Sequence, residues 1–150
     1  EIGNHILIGS EDPECDERIY VDPDNWDENF TEQWNTQLYR QAQRYPDLPL
    51  SSKVKGVVSL YDVSDDWIPI YDKSDLPGFY MAVGSSGNQY KNAPIAGVMM
   101  TELIEACEKG QNHDQETVKL HLKYINREID IGFYSRNRLI NSESSMSVLG

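Results

Sequence analysis

The chain has 150 residues, enough for a buried core, and its 39% hydrophobic content with three Trp, nine Tyr and three Phe marks a folded protein rather than a disordered one. A formal net charge of −12, from 25 acidic against 13 basic side chains, argues against nucleic acid or an anionic membrane surface as partner. No apolar run approaches the roughly 20 residues that span a bilayer, and the two cysteines, Cys15 and Cys107, form neither a disulfide framework nor a paired metal knuckle.

HILIG, residues 5–9, is a short apolar run and predicts a buried strand ending near Ser10. An acidic, Pro- and Asn-containing loop follows to Asp27. Phe30, Trp34, Leu38, Ala42 and Tyr45 then lay one stripe along a helix, with Asn29 or Thr31 as its cap and Pro46 as its stop. Three extended segments come next: residues 54–63, rich in β-branched side chains; residues 67–72, where Pro69 requires a strand end or sheet edge; and residues 78–84, apolar enough to be covered on both faces. Residues 93–108 are the clearest helix, striped by Ala96, Met99, Met100, Leu103, Ile104 and Cys107. Asn92 is its expected cap, Pro94 fits its first turn and Gly110 its stop. Gly97 within it predicts close packing against another backbone. KLHLKYI alternates as a strand would, and the end of the chain carries Arg136 and Arg138 before a Ser-rich tail.

His5, His113 and His121 lack partners at metal-ligand spacing, so structural or solvated roles are expected and no metal site. No GxSxG elbow and no GxxxxGK[ST] loop occurs, which disfavours a serine hydrolase and a P-loop NTPase. GSSGNQYKNAP, residues 84–94, keeps chemical interest because it joins an apolar strand to a helix N-terminus. Backbone N–H groups of such loops can face electron-rich ligand atoms, and Gly84 and Gly87 let the backbone come close. By spacing alone a plain strand–helix connection with an exposed lysine remains the competing reading.

SLYDVSDDWIPIYD followed by LPGFYMAVGSSGNQYKNAPIAGVMMTELI resembles the C-terminal signature of the FAD-dependent glycine/D-amino-acid oxidase superfamily, to which sarcosine oxidase belongs. The closing FYSRNRLINSESSMSVLG is similar to the tail of bacterial members of the same group. The resemblance implies an α+β chain with mainly antiparallel strands and two principal helices, the C-terminal part of a D-amino-acid-oxidase-like fold. The implied division is 1–72 for the end of a substrate domain, 73–110 for a strand–loop–helix of the FAD domain and 111–150 for an extension. The family's GxGxxG is absent, and the chain starts at Glu1, so an N-terminal half of the same protein is the expected partner, with self-association through apolar surface otherwise left bare. The implied flavin contacts are Gly84, Ser85, Ser86, Gly87 and Asn88. Lys91 matches the lysine that holds a substrate carboxylate, and Tyr61, Trp67 and Gln89 are candidates for the substrate pocket. Ser59 stands where sarcosine oxidase has its flavin-linking cysteine, which implies non-covalent FAD. Gln89 and Asn88 depart from the common Gly and His of the family. The expected substrate is a small amine or amino acid, and the expected setting the cytoplasm. A non-catalytic binding or interaction domain, with the loop as a structural cap, is the alternative.

Overall fold

The computed structural model describes residues 6–9, 19–50 and 54–144. The fold is α+β, with two principal helices and two small antiparallel sheets among the described residues, and the chain divides into two compact units, residues 1–60 and 61–150.

The first unit is built on α1 (Glu32–Ala42). Thr31 starts it: its backbone is extended and its hydroxyl accepts the Trp34 N–H at 3.1 Å, while Glu32 places negative charge at the positive end of the helix dipole. The helix ends before Pro46 can act. Arg44 and Tyr45 bond to carbonyls three residues back, which tightens the last turn and leaves Tyr45 exposed although Ala42 is buried. Phe30 stacks on Trp34 with centroids 4.1 Å apart, and Gly56 crosses that pair so closely that a Cβ would stand 2.5 Å from Trp34 Cζ2. Two strand expectations are corrected here. Residues 6–9 are not in a strand, and His5 and Ser10 lie outside the described residues. Residues 54–63 are also unpaired as strand, with Val57 84% exposed. A β-branched segment becomes a strand only beside a partner, and no described strand lies along this one.

The second unit holds β1 (Ile70–Lys73) and β2 (Tyr80–Val83), paired antiparallel from Ile70↔Val83 to Lys73↔Tyr80. Pro69 immediately precedes β1, where its missing N–H costs no ladder bond. α2 (Ala93–Glu108) follows a single 3₁₀ turn, Tyr90–Asn92. Gly110, at φ 96°, closes α2 with its N–H on Cys107 O and the Gln111 N–H on Ala106 O, a left-handed cap that a side chain would strain. A hairpin that the sequence only half suggests pairs β3 (Lys119–Leu122) with β4 (Arg127–Asp130), turning through Asn126 at φ 49°. Tyr71, Met99, Leu103, Val118, Leu120 and Ile131 form the core between β1, α2, β3 and the short turn Ile131–Tyr134. β1 runs through Lys73, and Val118, Leu120 and Ile131 share this core with α2.

Two further expectations change. β2 is not covered on both faces: Phe79 beside it is 54% exposed and Val83 is 47% exposed. Gly97 has open space where its Cβ would be, since among the described residues no atom beyond its chain neighbours and its own helix backbone lies within 4 Å of that point.

Candidate functional site

The glycine loop leaves β2 at Gly84 and enters α2 through the 3₁₀ turn. Its backbone is left-handed at Gly84 (φ 68°), Ser86 (φ 51°) and Gly87 (φ 75°). Such a run of positive φ costs on the order of 1 kcal/mol or more at the serine and must be held from outside. Asp62 holds it. Its carboxylate accepts the Ser85 N–H at 2.9 Å and the Ser85 hydroxyl, and its carbonyl accepts the Ser86 N–H at 2.9 Å. Partial burial works against the Asp62 charge, but the Ser85 hydroxyl and N–H outweigh it and keep the carboxyl below the usual carboxylate range. Gly84 is buried, and a Cβ there would touch the Ser64 Cβ at 3.4 Å. Its missing side chain makes room for the protein's own residues 61–69.

These bonds sort the residues nominated from sequence. Ser86 is fully buried and, like Ser85, has its N–H spent on Asp62. Gly87 is exposed, Asn88 half-buried, and Gln89 turned into the loop's own closure. The Gln89 Oε1 accepts from Tyr71 Oη and from Asn92 Nδ2, each at 3.0 Å, and its amide nitrogen donates to Asn88 Oδ1. Asn92 therefore ties Gln89 instead of capping α2 with its side chain. Lys91 is exposed, and among the described residues it forms no ion pair. Trp67 is half-buried, Tyr61 is 58% exposed, and Ser59 is exposed. The structure thus gathers Gly84, Ser85, Ser86, Gly87, Asn88 and Gln89 in one loop with Lys91 at its far end. Asp62, the residue that shapes the loop, carried no signal in the sequence, because its partners lie 23 residues away in the chain.

A second cluster of charge lies under the sheet. Asp72 is fully buried and accepts from Ser135 Oγ at 2.9 Å, the Arg136 N–H at 2.8 Å and Arg136 Nη1 at 3.1 Å. Arg136 also reaches Asp75 at 2.5 Å and Asp114 at 2.8 Å, and Lys73 pairs with Asp114. The Arg136 guanidinium, with Lys73, holds the Asp114 carboxyl at about 2. His113 completes the cluster: its Nδ1 accepts the Val118 N–H at 2.9 Å, and its buried Nε2 lies 3.8 Å from Asp72 Oδ1 with no hydrogen bond among the described residues. Asp72 and His113 are buried while Asp75 stands exposed at the edge of the cluster, and together these bonds tie residues 113–136 to β1. Cys107, on the apolar stripe of α2, is half-buried, and burial raises its thiol above the ordinary value. Among the described residues no three His, Cys, Asp or Glu side chains converge as a metal site would require, and no helix is long and apolar enough to cross a membrane.

Two open clefts lie away from the glycine loop. One of about 330 Å³ is lined by Glu102, Glu105 and Lys109, and one of about 380 Å³ runs between the β1–β2 turn and the end of α2 past Cys107. Neither contains a residue nominated from the sequence. Comparison with protein-family models, curated proteins and solved structures gives no match.

Proposed function

We propose that the chain is the C-terminal part of an FAD-dependent oxidoreductase that oxidises the C–N bond of a small amine or amino acid, inactive without the rest of the protein. The observation that carries the reading is the glycine loop between β2 and α2, left-handed at Gly84, Ser86 and Gly87, preset by Asp62 and ending in an exposed Lys91 that forms no ion pair among the described residues. A flavin fits the rim of this loop and not its inside. Gly87 brings backbone without a side chain and Asn88 an amide, while Gly84, Ser85 and Ser86 frame the loop from beneath. FAD held there, without a covalent link through Ser59, supplies a hydride acceptor for the C–N bond. Lys91 supplies a fixed positive charge for a substrate carboxylate, and Tyr61 and Trp67 are the aromatic walls of this reading. The bare apolar side chains on and beside β2 (Val83 and Phe79) and on α2 (Val98) support a partner that covers them, which in this reading is the N-terminal half of a cytoplasmic enzyme.

The full-length protein is then yellow as purified or takes up added FAD. Colourless protein that leaves FAD free in a titration would end the reading. Lys91→Met keeps flavin content and weakens carboxylate substrates by about ten- to a hundredfold, the size of one lost charge-assisted bond. Unchanged substrate binding would remove Lys91 from the site.

One observation favours a second reading, a non-catalytic interaction domain. The Ser85 and Ser86 N–H groups and the Gln89 side chain are already satisfied within the protein, as a purely structural loop would have them. The same FAD titration separates the two.

A further inference from the structure

The C-terminal segment is tied, through one guanidinium, to the turn that carries Asp62. Arg138 donates from Nε to Asp66 Oδ2 at 3.1 Å, from Nη2 to Asp66 Oδ1 at 2.5 Å and to Ile68 O at 2.8 Å, while Nη1 donates to its own segment at Ser135 O, 3.0 Å away. The Asn141 N–H adds a longer bond of 3.3 Å to Asp66 Oδ2. The Asp66 side chain is fully buried and that of Arg138 only 10% exposed, so this is a shielded two-pronged pair, not a surface contact. Arg138 holds the Asp66 carboxyl at about 2, which keeps the pair closed at neutral pH and in mild acid.

Asp66 then organises its own turn. Its Oδ1 accepts the Ile68 N–H at 3.2 Å, while Ser64 Oγ, 3.2 Å from the same oxygen, donates its proton to Ile68 O at 2.6 Å. Trp67 sits between these pinned residues at φ 60°, a conformation that a bulky side chain keeps only where its surroundings impose it. The other side of the same turn is the frame of the glycine loop: Ser64 lies against Gly84, and Asp62 holds Ser85 and Ser86.

We propose that Arg138 is a positioning residue for the glycine loop. By gripping Asp66 and Ile68 O it fixes the strained Trp67 turn, and that turn keeps Asp62 where it can aim the loop. Residues 135–141 are therefore a strap fastened behind the site. The consequence for a ligand rests on the flavin reading above; the mechanical link does not.

Amide hydrogen exchange in Arg138→Ala tests the link. Exchange at Ser85 and Ser86 rises about tenfold or more while the Leu120 and Ile131 amides keep their wild-type protection, the pattern of a local opening rather than global loss of stability. Wild-type exchange at the two serines would overturn the proposal. Should Arg138→Ala fail to fold, Arg138→Lys decides by the same criterion, because an ammonium keeps the charge but cannot span both Asp66 oxygens and Ile68 O. FAD titration of full-length protein, followed by flavin fluorescence, is the second arm. Weaker FAD uptake in the variant supports the positioning role, and equal uptake despite faster exchange overturns it. Faster exchange in a protein whose wild type takes up no FAD leaves the strap standing and ends the flavin reading alone.

Discussion

Gln89 and Lys91 lie two residues apart in one loop and have opposite surroundings. The Gln89 amide is consumed by Tyr71, Asn92 and Asn88, so it closes the loop, whereas the Lys91 charge has no partner among the described residues. The family resemblance nominated both for the substrate side of the loop, and only the distances separate them. His113 shows the same dependence on surroundings. Burial lowers its imidazole below the ordinary 6.5, against the pull of Asp72, Asp114 and Asp130, with Lys73 acting in the same direction as burial. The folded state therefore favours the neutral ring, whose unprotonated Nδ1 takes the Val118 N–H. A group depressed in this way contributes stability that is full above 6.5 and is lost as pH falls from there toward its folded value. Urea midpoints should fall with pH across that window. His113→Asn, whose amide oxygen can take the same N–H but does not titrate, should remove that part of the slope. An unchanged slope would mean that the histidine is not the group responsible. Asp66 and Asp114, both held at about 2, add a separate loss only below their ordinary 3.8.

At the scale of elements, two glycines make opposite predictions. Gly132 lies in the turn after β4, where a Cβ would meet Thr117 Cγ2 at 2.3 Å and Asp130 Oδ1 at 2.9 Å. The β-branched threonine cannot swing away, so Gly132→Ala should destabilise by about 1–3 kcal/mol in denaturant unfolding. Gly97 sits inside α2 with open space beside it, and Gly97→Ala should stabilise the isolated chain by about 0.5–1 kcal/mol. If that face is covered in a complete enzyme, the same substitution should weaken the fit there, which comparison of isolated and full-length protein would reveal. α2 itself was legible to the residue, because Pro94 and Gly110 punctuate a clear apolar stripe. β4 was not. Its residues, REID, are charged apart from Ile129, and its strand character comes from pairing with β3.

For the whole molecule, charge and apolar surface act against each other. A net charge of −12 repels copies of the chain, while exposed Phe79, Val83 and Val98 attract them. Added salt shortens the reach of the repulsion to about 10 Å near 0.1 M and leaves the apolar attraction in place. Sedimentation should therefore show association that grows with protein concentration and with salt. A variant carrying Phe79→Ser and Val98→Ser should remain monomeric under the same conditions. Equal association of that variant would show that these side chains are not the contact.

The sequence by itself determined what depends on neighbours along the chain. Thr31 and the stripe behind it, Pro69 before a strand, the span of α2 and the glycine loop between β2 and α2 all follow from local sterics and periodicity. Tertiary structure decided what depends on partners distant in sequence. Residues 54–63 have strand composition and no described strand to join, and β2 has a core strand's composition and an exposed side. The loop's serines are set by Asp62, and the turn bearing Asp62 is braced by Arg138, 72 residues beyond Asp66. Periodicity records which face of an element seeks cover. The partner that provides it, or the carboxylate that meets a given arginine, is fixed only when the chain closes on itself.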